Sequence, residues 1–230
     1  MITDEPDGAT FWERHYRGRP GPSGGRPSAA LIRFASGRTP GRALDLGCAK
    51  GDDAVWLARQ GWSALGVDVA AAALEEARRN AERAGVADHA RFEHHDLMRT
   101  LPEGPFDLVS AMFFHSPAAL DRASILHRAA ARIAPGGLLL SVTHASAAPW
   151  SWADPDTAWP TPQEELDAIG LPQADWRRVE VAAVERQATG PAGQTATVTD
   201  NVLALEHVVV KRRGWKRTGG SRAGATAKKG

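Results

Sequence analysis

Residues 43–68, ALDLGCAKGDDAVWLARQGWSALGVD, decide the fold of this chain. The first four are short, mostly apolar and followed by a glycine, which predicts a buried strand. Gly47 and Gly51 bracket a tight loop, and Asp52 and Asp53 then open an apolar-periodic helix. Carboxylates at this position are expected to satisfy free N–H groups and to suit the positive end of the helix dipole.

The second half of the stretch completes a strand–loop–helix–strand unit. Gly61 ends the helix, and residues 63–67 are the next strand, which ends at Asp68. The glycines let the backbone approach a ligand, the helix start presents N–H donors, and an acid at the tip of the second strand can accept two ribose hydroxyls. The unit is the nucleotide half-site of a doubly wound α/β fold and suits NAD, FAD or S-adenosylmethionine.

The order of residues in the loop separates these ligands. A dinucleotide fingerprint is G-x-G-x-x-G with its third glycine inside the helix. Here the acid Asp45 precedes Gly47 by two residues, Gly51 follows, and that third glycine is missing. The pattern resembles motif I of the class I S-adenosylmethionine-dependent methyltransferases, whose usual form is acid-x-Gly-x-Gly-x-Gly. Ala49 stands where their middle glycine lies, which bears on the conformation of the turn.

The resemblance covers residues 11–210. It is carried by the segments FWERHY, ALDLGCAKGDDAVWLARQGW, GVDV, HHDL, FDLVSAMFFHSP and APGG. The chain is similar to small-molecule methyltransferases of the type grouped with thiopurine and tellurite-resistance enzymes. The resemblance implies a Rossmann-like sheet, mostly parallel with a C-terminal antiparallel hairpin. It also implies S-adenosylmethionine as cofactor and S-adenosylhomocysteine as product.

Composition agrees with a globular enzyme of one main domain. The chain has 230 residues, 43% hydrophobic and 24% charged, and its net charge of +1 gives no reason to expect a nucleic-acid or membrane partner. We expect a cytoplasmic protein, because the sequence shows no signal peptide and no long apolar run. The one cysteine, Cys48, fits a reducing compartment and is expected to pack under the loop rather than to act as a nucleophile.

The rest of the chain reads as alternating helices and strands between two flexible ends. Further strands are predicted at Ala90–His94, Phe106–Met112, 138–143, 176–185 and 197–210, the last two as an edge hairpin around Gly190–Gly193. Helices are predicted at 29–36, 70–84, 120–133 and 164–169, with Ser116 and Pro117 as the start of the third and a capping box at Thr161 for the fourth. The predicted organisation is an N-terminal helix and mobile loop over 1–28, a methyltransferase domain over 29–210 and a disordered basic tail over 211–230.

The N-terminal segment has two interpretations. Residues 11–16 form a short amphipathic helix with Trp12 and Tyr16 on one face, and residues 17–27 are rich in Gly, Pro and Arg. Such an element could close over a bound cofactor as a lid, or its aromatic face could merely dock on the core.

The resemblance also implies the cofactor contacts. An acid after the third strand commonly faces the adenine amino group in this family, and Asp96 matches that position, with a strand-end turn aspartate as the alternative. The cofactor-binding residues predicted are Trp12, Tyr16, Asp45, Gly47, Cys48, Ala49, Gly51, Asp68, Val69, Asp96, Leu97 and Met112.

Aromatic residues follow the fourth and fifth strands, which flank the crevice where ligands bind in such sheets. The substrate pocket predicted from them consists of Phe113, Phe114, Trp150, Trp152 and Trp159. An aromatic enclosure excludes water and suits a small, partly apolar or aromatic acceptor. His115 and His144 are the candidate catalytic bases, with a hydrogen bond to loop backbone as the alternative role of each.

Several patterns are missing from the sequence. It has no Asn/Asp-Pro-Pro-aromatic tetrapeptide, no Pro-Cys nucleophile and no His/Cys cluster with zinc spacing, so neither a nucleobase acceptor nor a metal is predicted. The favoured interpretation is a monomeric or homodimeric methyltransferase acting on a small molecule. A non-catalytic methyltransferase-like cofactor-binding protein and an NAD/FAD-dependent oxidoreductase remain as alternatives.

Overall fold

A seven-stranded sheet forms the centre of the protein in a computed structural model that describes residues 7–151 and 157–208. Its order is β3-β2-β1-β4-β5-β7-β6, and only β7 runs antiparallel to its neighbours β5 and β6. The strands are β1 (Arg42–Leu46), β2 (Ser63–Asp68), β3 (Ala90–His94), β4 (Phe106–Met112), β5 (Ile133–His144), β6 (Trp176–Thr189) and β7 (Thr195–His207). The predicted doubly wound sheet with a C-terminal hairpin is confirmed.

Helices cover both faces of this sheet. They are α1 (Gly8–Arg17), α2 (Ala29–Ala35), α3 (Asp52–Arg59), α4 (Ala71–Arg83), α5 (Arg122–Ala130) and α6 (Pro162–Ile169). Side chains alternate along each strand, so Ala43 joins the core under α2, α3 and α4, whereas Leu44 joins the core under α5 and α6. Strands buried on both faces read as the continuous apolar runs seen in the sequence.

The start of α5 differs from its prediction. The helix begins at Arg122, and its N-cap is Asp121, whose side chain accepts the N–H of Ser124. Ser116 does not cap a helix; its hydroxyl accepts the indole N–H of Trp12 at 3.2 Å. A serine followed by proline is a cap signal, but here the hydroxyl satisfies a donor that lies more than a hundred residues away.

Other boundaries shift without changing the topology. β5 begins at Ile133, ahead of the predicted turn at Pro135, because Ile133 already pairs with Phe106 of β4; a register shift separates this pair from the rest of the ladder. The hairpin strands run further toward their turn, to Thr189 and from Thr195. The predicted tail at 211–230 and the last two residues of the predicted strand 197–210 lie outside the described residues.

The loop after β1 holds three residues at positive φ. Gly47 and Gly51 lie at φ of +68° and +81°, and Ala49 lies between them at +49°. Ala49 therefore adopts the left-handed conformation, which brings its Cβ close to a carbonyl oxygen. The substitution of alanine for the family's middle glycine leaves the turn in place but strains it.

We expect Ala49→Gly to raise the free energy of unfolding by about 0.5–1 kcal/mol, because glycine adopts positive φ without the Cβ clash. Urea denaturation measures the change. Ala87→Gly is the matched control, since Ala87 is exposed in a loop and is not at positive φ; it should lose stability. Equal losses in both variants would show that the Ala49 conformation carries no strain.

Candidate active site

The carboxyl ends of β1 and β4, where the strand order reverses, open into a cavity of about 720 Å³. Ligands in open α/β sheets bind at such a switch point. The cavity wall comes from α1, the loop after β1, the end of β2 and the segments after β3 and β4. It includes the predicted residues Trp12, Tyr16, Gly47, Ala49, Asp68, Val69, Asp96, Leu97, Met112, Phe113, Phe114 and His115.

A second cavity of about 300 Å³ adjoins the first. The two share Tyr16, Gly47, Ala49 and Met112 in their walls. The polar wall residues of the smaller cavity include Ser23, Arg26, Ser28, Asp45, Lys50, Asp52 and Asp53. The site is therefore a large, partly aromatic chamber joined to a small, charged one.

Asp68 ties the end of β2 to the loop after β1. One carboxylate oxygen accepts the N–H of Ala49 at 3.0 Å, and the other accepts the N–H of Ala70 at 2.9 Å. Burial raises the pKa of Asp68, and these two N–H groups act against that shift. The N–H of Val69 also acts on this carboxylate. Because a carboxylate has about four lone-pair sites, acceptor capacity remains for a ligand in the large cavity.

Asp45 is the acid of the motif and is almost completely buried. Its carboxylate accepts the Ser110 hydroxyl at 2.9 Å. Burial and the neighbouring Asp53 raise the pKa of Asp45 well above its usual range. Burying the Asp45 carboxylate therefore reduces the stability of the fold, as expected of a residue whose role is to bind a ligand.

Asp96 follows β3 and faces the large cavity. Its side chain accepts the N–H of Met98 at 3.0 Å and forms an ion pair with Arg99 at 3.1 Å. Asp96 therefore closes a turn, as the alternative interpretation of a strand-end turn aspartate predicts. It also lies in the cavity wall, where the contact with adenine is predicted.

Helix α1 spans the large cavity. On one side Trp12 donates to Ser116, and on the other Glu13 accepts the N–H of Ala72 at 3.1 Å at the start of α4. The rings of Trp12 and Tyr16 stack with centroids 5.9 Å apart, and both line the cavity. Burial and nearby Asp68 raise the pKa of the Tyr16 phenol, so it stays protonated.

The segment after α1 is bound to the motif loop. Lys50 Nζ donates to the carbonyl oxygens of Arg19 at 2.8 Å and Gly21 at 2.7 Å. We call residues 18–28 the strap. Its polar contacts come from the loop, from the start of α3 and from Asn80 of α4. Ser23, Arg26 and Ser28 of the strap line the small cavity.

The carboxylates at the start of α3 hold the strap rather than the helix N-terminus. Asp52 accepts the Ser23 hydroxyl, and Asp53 accepts the N–H and hydroxyl of Ser28 at 2.6 and 2.8 Å. Neither side chain caps α3, whose N-cap is Gly51. The predicted capping role is wrong, because both acids are drawn to hydroxyl and N–H donors of the strap; their position near the positive helix end agrees with the prediction.

The two candidate bases lie together, but only His115 lines the large cavity, and His144 lines neither cavity. His115 and His144 stack with ring centroids 5.5 Å apart and planes 7° apart, and Phe113 stacks on His144 at 4.7 Å. Phe113 itself has φ of +50°, which is unusual for a bulky residue and marks strain of the kind found at functional sites.

Their polar surroundings differ. Arg122 Nη1 lies 3.1 Å from His115 Nδ1, and the N–H of His144 faces His115 Nε2 at 3.4 Å. Burial, helped by the Arg122 charge, lowers the pKa of His115 to about 4. His144 instead has Asp200 of β7 at 3.4 Å from its Nδ1.

Some predicted residues lie elsewhere. Gly51 lines neither cavity; a Cβ there would meet Phe92 and Ala77 at 2.7–2.9 Å, so it allows close packing of α3. Trp150 packs against Gly190 in the turn of the β6–β7 hairpin, and neither it nor Trp159 lines the two cavities. Trp152 lies outside the described residues.

Cys48 is buried beneath the loop and lines the small cavity. Burial, with Asp68 nearby, raises the pKa of its thiol, which agrees with a packing role.

Four contributors were missed by sequence reasoning. Ser116, Arg122 and Lys50 hold elements around the site, and Asp200 reaches it from the C-terminal hairpin. Lys50 lies inside the motif and could have been singled out. The others are separated from their partners along the chain, and no local pattern marks them.

Comparison with known proteins agrees with this geometry. Residues 43–137 match the sequence profile of a family described as a methyltransferase domain. The chain contains a class I methyltransferase domain. The predicted resemblance is thereby confirmed for the part of the chain that forms β1 to the start of β5.

Two relatives and one structure illustrate the range. The ribosomal RNA small subunit methyltransferase C of Alcanivorax borkumensis is 30% identical over 138 residues, 55% of this chain and 40% of that protein. The 2-heptyl-1-hydroxyquinolin-4(1H)-one methyltransferase of Mycobacteroides abscessus is 26% identical over 195 residues, 80% of this chain and 84% of that protein. The crystal structure of TehB from Haemophilus influenzae is similar with a TM-score of 0.60 at 17% identity, covering 79% of this chain and 62% of that one.

These likenesses differ in reach. This chain spans 40–42% of the length of three curated relatives that are at least 30% identical to it. The similarity to TehB, at 17% identity, shows the fold alone.

Within the described ranges, no helix has the length and apolar character needed to cross a membrane. No group of three or more His, Cys, Asp or Glu side chains there is placed to hold a metal ion.

We expect Asp45→Asn to raise the melting temperature, and the gain to grow with pH. The raised pKa means that the folded state holds the Asp45 proton more tightly than the unfolded chain does. That stabilising contribution is full below the unfolded pKa of about 3.9 and is lost as pH rises through the folded pKa. The amide oxygen can still accept the Ser110 hydroxyl.

Thermal unfolding followed by circular dichroism across mildly acidic to mildly alkaline pH measures the effect. Asp88→Asn, at an exposed loop position, is the control and should give no pH-dependent gain. A melting temperature for Asp45→Asn below wild type at neutral pH would mean that the buried carboxylate stabilises the fold.

Proposed function

We propose that this protein transfers a methyl group from S-adenosylmethionine to a small-molecule acceptor. The observation that carries the proposal is the joined pair of cavities at the switch point, one bounded by Asp68 and aromatic rings, the other by acids at the start of α3. The methyltransferase domain found by comparison supports it.

The residues present fit that cofactor. Asp68 keeps acceptor capacity for the ribose hydroxyls, and Asp96 stands where an adenine amino group would be bound. Gly47 lets the Phe114 ring pack on the loop in the cavity wall, since a Cβ there would meet that ring at 2.5 Å. The carboxylates of Asp45 and Asp53 in the small cavity complement the ammonium of a methionyl group.

S-adenosylmethionine supplies a methyl group already activated by its sulfonium. The chain's own residues then have to align the acceptor and exclude water. Trp12 and Tyr16 of α1 line the cavity, and so do Phe113 and Phe114, which follow β4. Good orientation of the reacting groups lowers the activation free energy by roughly 7–11 kcal/mol relative to reaction in solution, and this is the contribution that the enclosure has to make.

A small acceptor is supported by the cavity and by one relative. The cavity volume of about 720 Å³ is that of a small-molecule site and must hold part of the cofactor as well. The hydroxyquinolone methyltransferase of M. abscessus aligns over 84% of its length, whereas the ribosomal RNA enzyme aligns over 40%. The first activity to test is therefore methylation of 2-heptyl-1-hydroxyquinolin-4(1H)-one within a panel of small acceptors, using labelled methyl donor and mass spectrometry.

We expect S-adenosylhomocysteine to bind the full chain, NAD not to bind, and Asp68→Asn to weaken S-adenosylhomocysteine binding at least tenfold. Loss of a buried acceptor costs about 1–3 kcal/mol, and about 1.4 kcal/mol is a factor of ten in affinity. Calorimetry measures all three. The melting temperature of Asp68→Asn should also fall, because the carboxylate holds the N–H groups of Ala49 and Ala70.

Asp88→Asn is the control and should bind like wild type. Binding of NAD without a response to S-adenosylhomocysteine would overturn the proposal. Unchanged affinity in Asp68→Asn would remove that residue from the site.

We also propose that the strap retains the cofactor. Lys50→Met keeps the length of the side chain but removes both hydrogen bonds to the strap. We expect faster tryptic cleavage after Arg19 and faster dissociation of S-adenosylhomocysteine, measured by proteolysis and stopped-flow competition. Arg91→Met, at an exposed position of β3, should change neither rate. If Lys50→Met leaves both rates unchanged, the strap has no role in retention.

A further inference from the structure

Three strands bring a histidine, an aspartate and an arginine together behind the cavity wall. None of the three lines the cavity, but the histidine, His144, stacks on the wall residues Phe113 and His115. His144 ends β5, and Asp200 of β7 is its direct partner in the antiparallel register. On β6, Val184 pairs with Asp200, and Arg186 lies two residues further along. Asp200 Oδ1 lies 3.4 Å from both His144 Nδ1 and Arg186 Nη2, and Arg186 Nε donates to Asp200 Oδ2.

Asp200 fixes the hydrogen of the His144 ring. The Asp200 side chain is 6% exposed; burial acts to raise its pKa, but the bonds from His144 and Arg186 outweigh this, and the pKa lies below its usual value. An ionised carboxylate can only accept, so it favours the neutral tautomer in which His144 Nδ1 carries the hydrogen and Nε2 the lone pair. Among the described residues Nε2 has no hydrogen-bond partner, and 43% of the His144 side chain is exposed.

His115 has the opposite arrangement. Its two ring nitrogens face donors, Arg122 at Nδ1 and the His144 N–H at Nε2. A protonated ring would direct an N–H at both donors, whereas a neutral ring does so at only one, so protonation is disfavoured and this histidine makes a poor proton acceptor. It lines the cavity and stacks on His144, which makes it part of the wall.

The aromatic rings around His144 favour a planar acceptor. Phe113 and His115 line the cavity and stack with His144, at interplanar angles of 27° and 7°. Trp12 and Tyr16 add a second stacked pair from α1. Aromatic walls of this kind pack best on another planar ring, and a planar ring with a hydroxyl needs a base before its oxygen becomes a good nucleophile.

We propose that the acceptor is a hydroxylated planar aromatic compound, that His144 removes the proton from its hydroxyl, and that Asp200 is the positioning residue of His144. The inference rests on the proposed function. The acceptor oxygen forms its bond to the methyl carbon as the carbon–sulfur bond breaks, and the sulfur keeps that electron pair. The hydroxyl proton goes to His144 Nε2, which later releases it to solvent.

The test compares two phenols of different acidity. At slightly alkaline pH, 4-nitrophenol is mostly ionised and needs no base, whereas 4-methylphenol is protonated and does. We expect wild type to methylate both. His144→Gln should lower kcat for 4-methylphenol about 100-fold, and Asp200→Asn about tenfold, with little change for 4-nitrophenol. A merely structural role would lower both activities equally.

Control variants distinguish the effects of His144 and Asp200 from those of neighbouring residues. Two variants should act like wild type on both phenols: His127→Gln and Asp88→Asn. The His127 ring nitrogen Nδ1 lies 2.9 Å from the Ile169 carbonyl oxygen, and neither residue lines the two cavities. His115→Gln should show no dependence on acceptor acidity. Thermal unfolding and calorimetric binding of 4-nitrophenol with S-adenosylhomocysteine present report whether each variant is folded and holds the acceptor.

Three results would overturn the inference. The first is a loss specific to 4-methylphenol in His115→Gln but not in His144→Gln. The second is equal loss on both phenols in His144→Gln and Asp200→Asn. The third is that wild type methylates neither phenol, whether or not it methylates 4-methylbenzoate or 4-methylaniline. S-adenosylhomocysteine binding in the same samples distinguishes these failures from failure of the proposed function, which would abolish that binding.

Discussion

The hydrogen bonds from the Ala49 and Ala70 N–H groups to Asp68 are the contacts on which the site depends. They join the loop after β1 to the first residues after β2, so the two halves of the nucleotide unit share one carboxylate. Because Asp68 is buried, an unmatched charge there would be costly, and the two N–H groups reduce that cost. The same bonds hold Ala49 in a conformation that alanine does not favour.

Acidic groups gather around the two joined cavities at some expense to stability. Asp45, Asp53 and Asp68 all have pKa values raised chiefly by burial. In a fold selected only for stability, such carboxylates would be replaced by neutral groups. Their presence beside a glycine loop is better explained by a cationic or hydroxyl-bearing ligand whose binding compensates the charge.

Contacts from distant parts of the chain complete the enclosure. The strap and α1 come from the N-terminus. Lys50, Asp52 and Asp53 of the motif hold the strap, whereas Ser116 and the start of α4 hold α1. The β6–β7 hairpin comes from the C-terminus and brings Asp200 beside His144. The hairpin is therefore more than a sheet edge, since its register determines what faces the end of β5.

The sequence by itself determined the sheet, the motif loop and most of the cavity wall, because these follow from local patterns: apolar runs, glycines at a turn and residues placed just after strands. It also named His115 and His144 together, since strands four and five end side by side. Their different surroundings, the use of Asp52 and Asp53 to bind the strap and the placement of Trp150 on the hairpin could not be read there. These features depend on hydrogen bonds and packing between residues far apart in the chain, and only the tertiary structure decides which donors and acceptors meet.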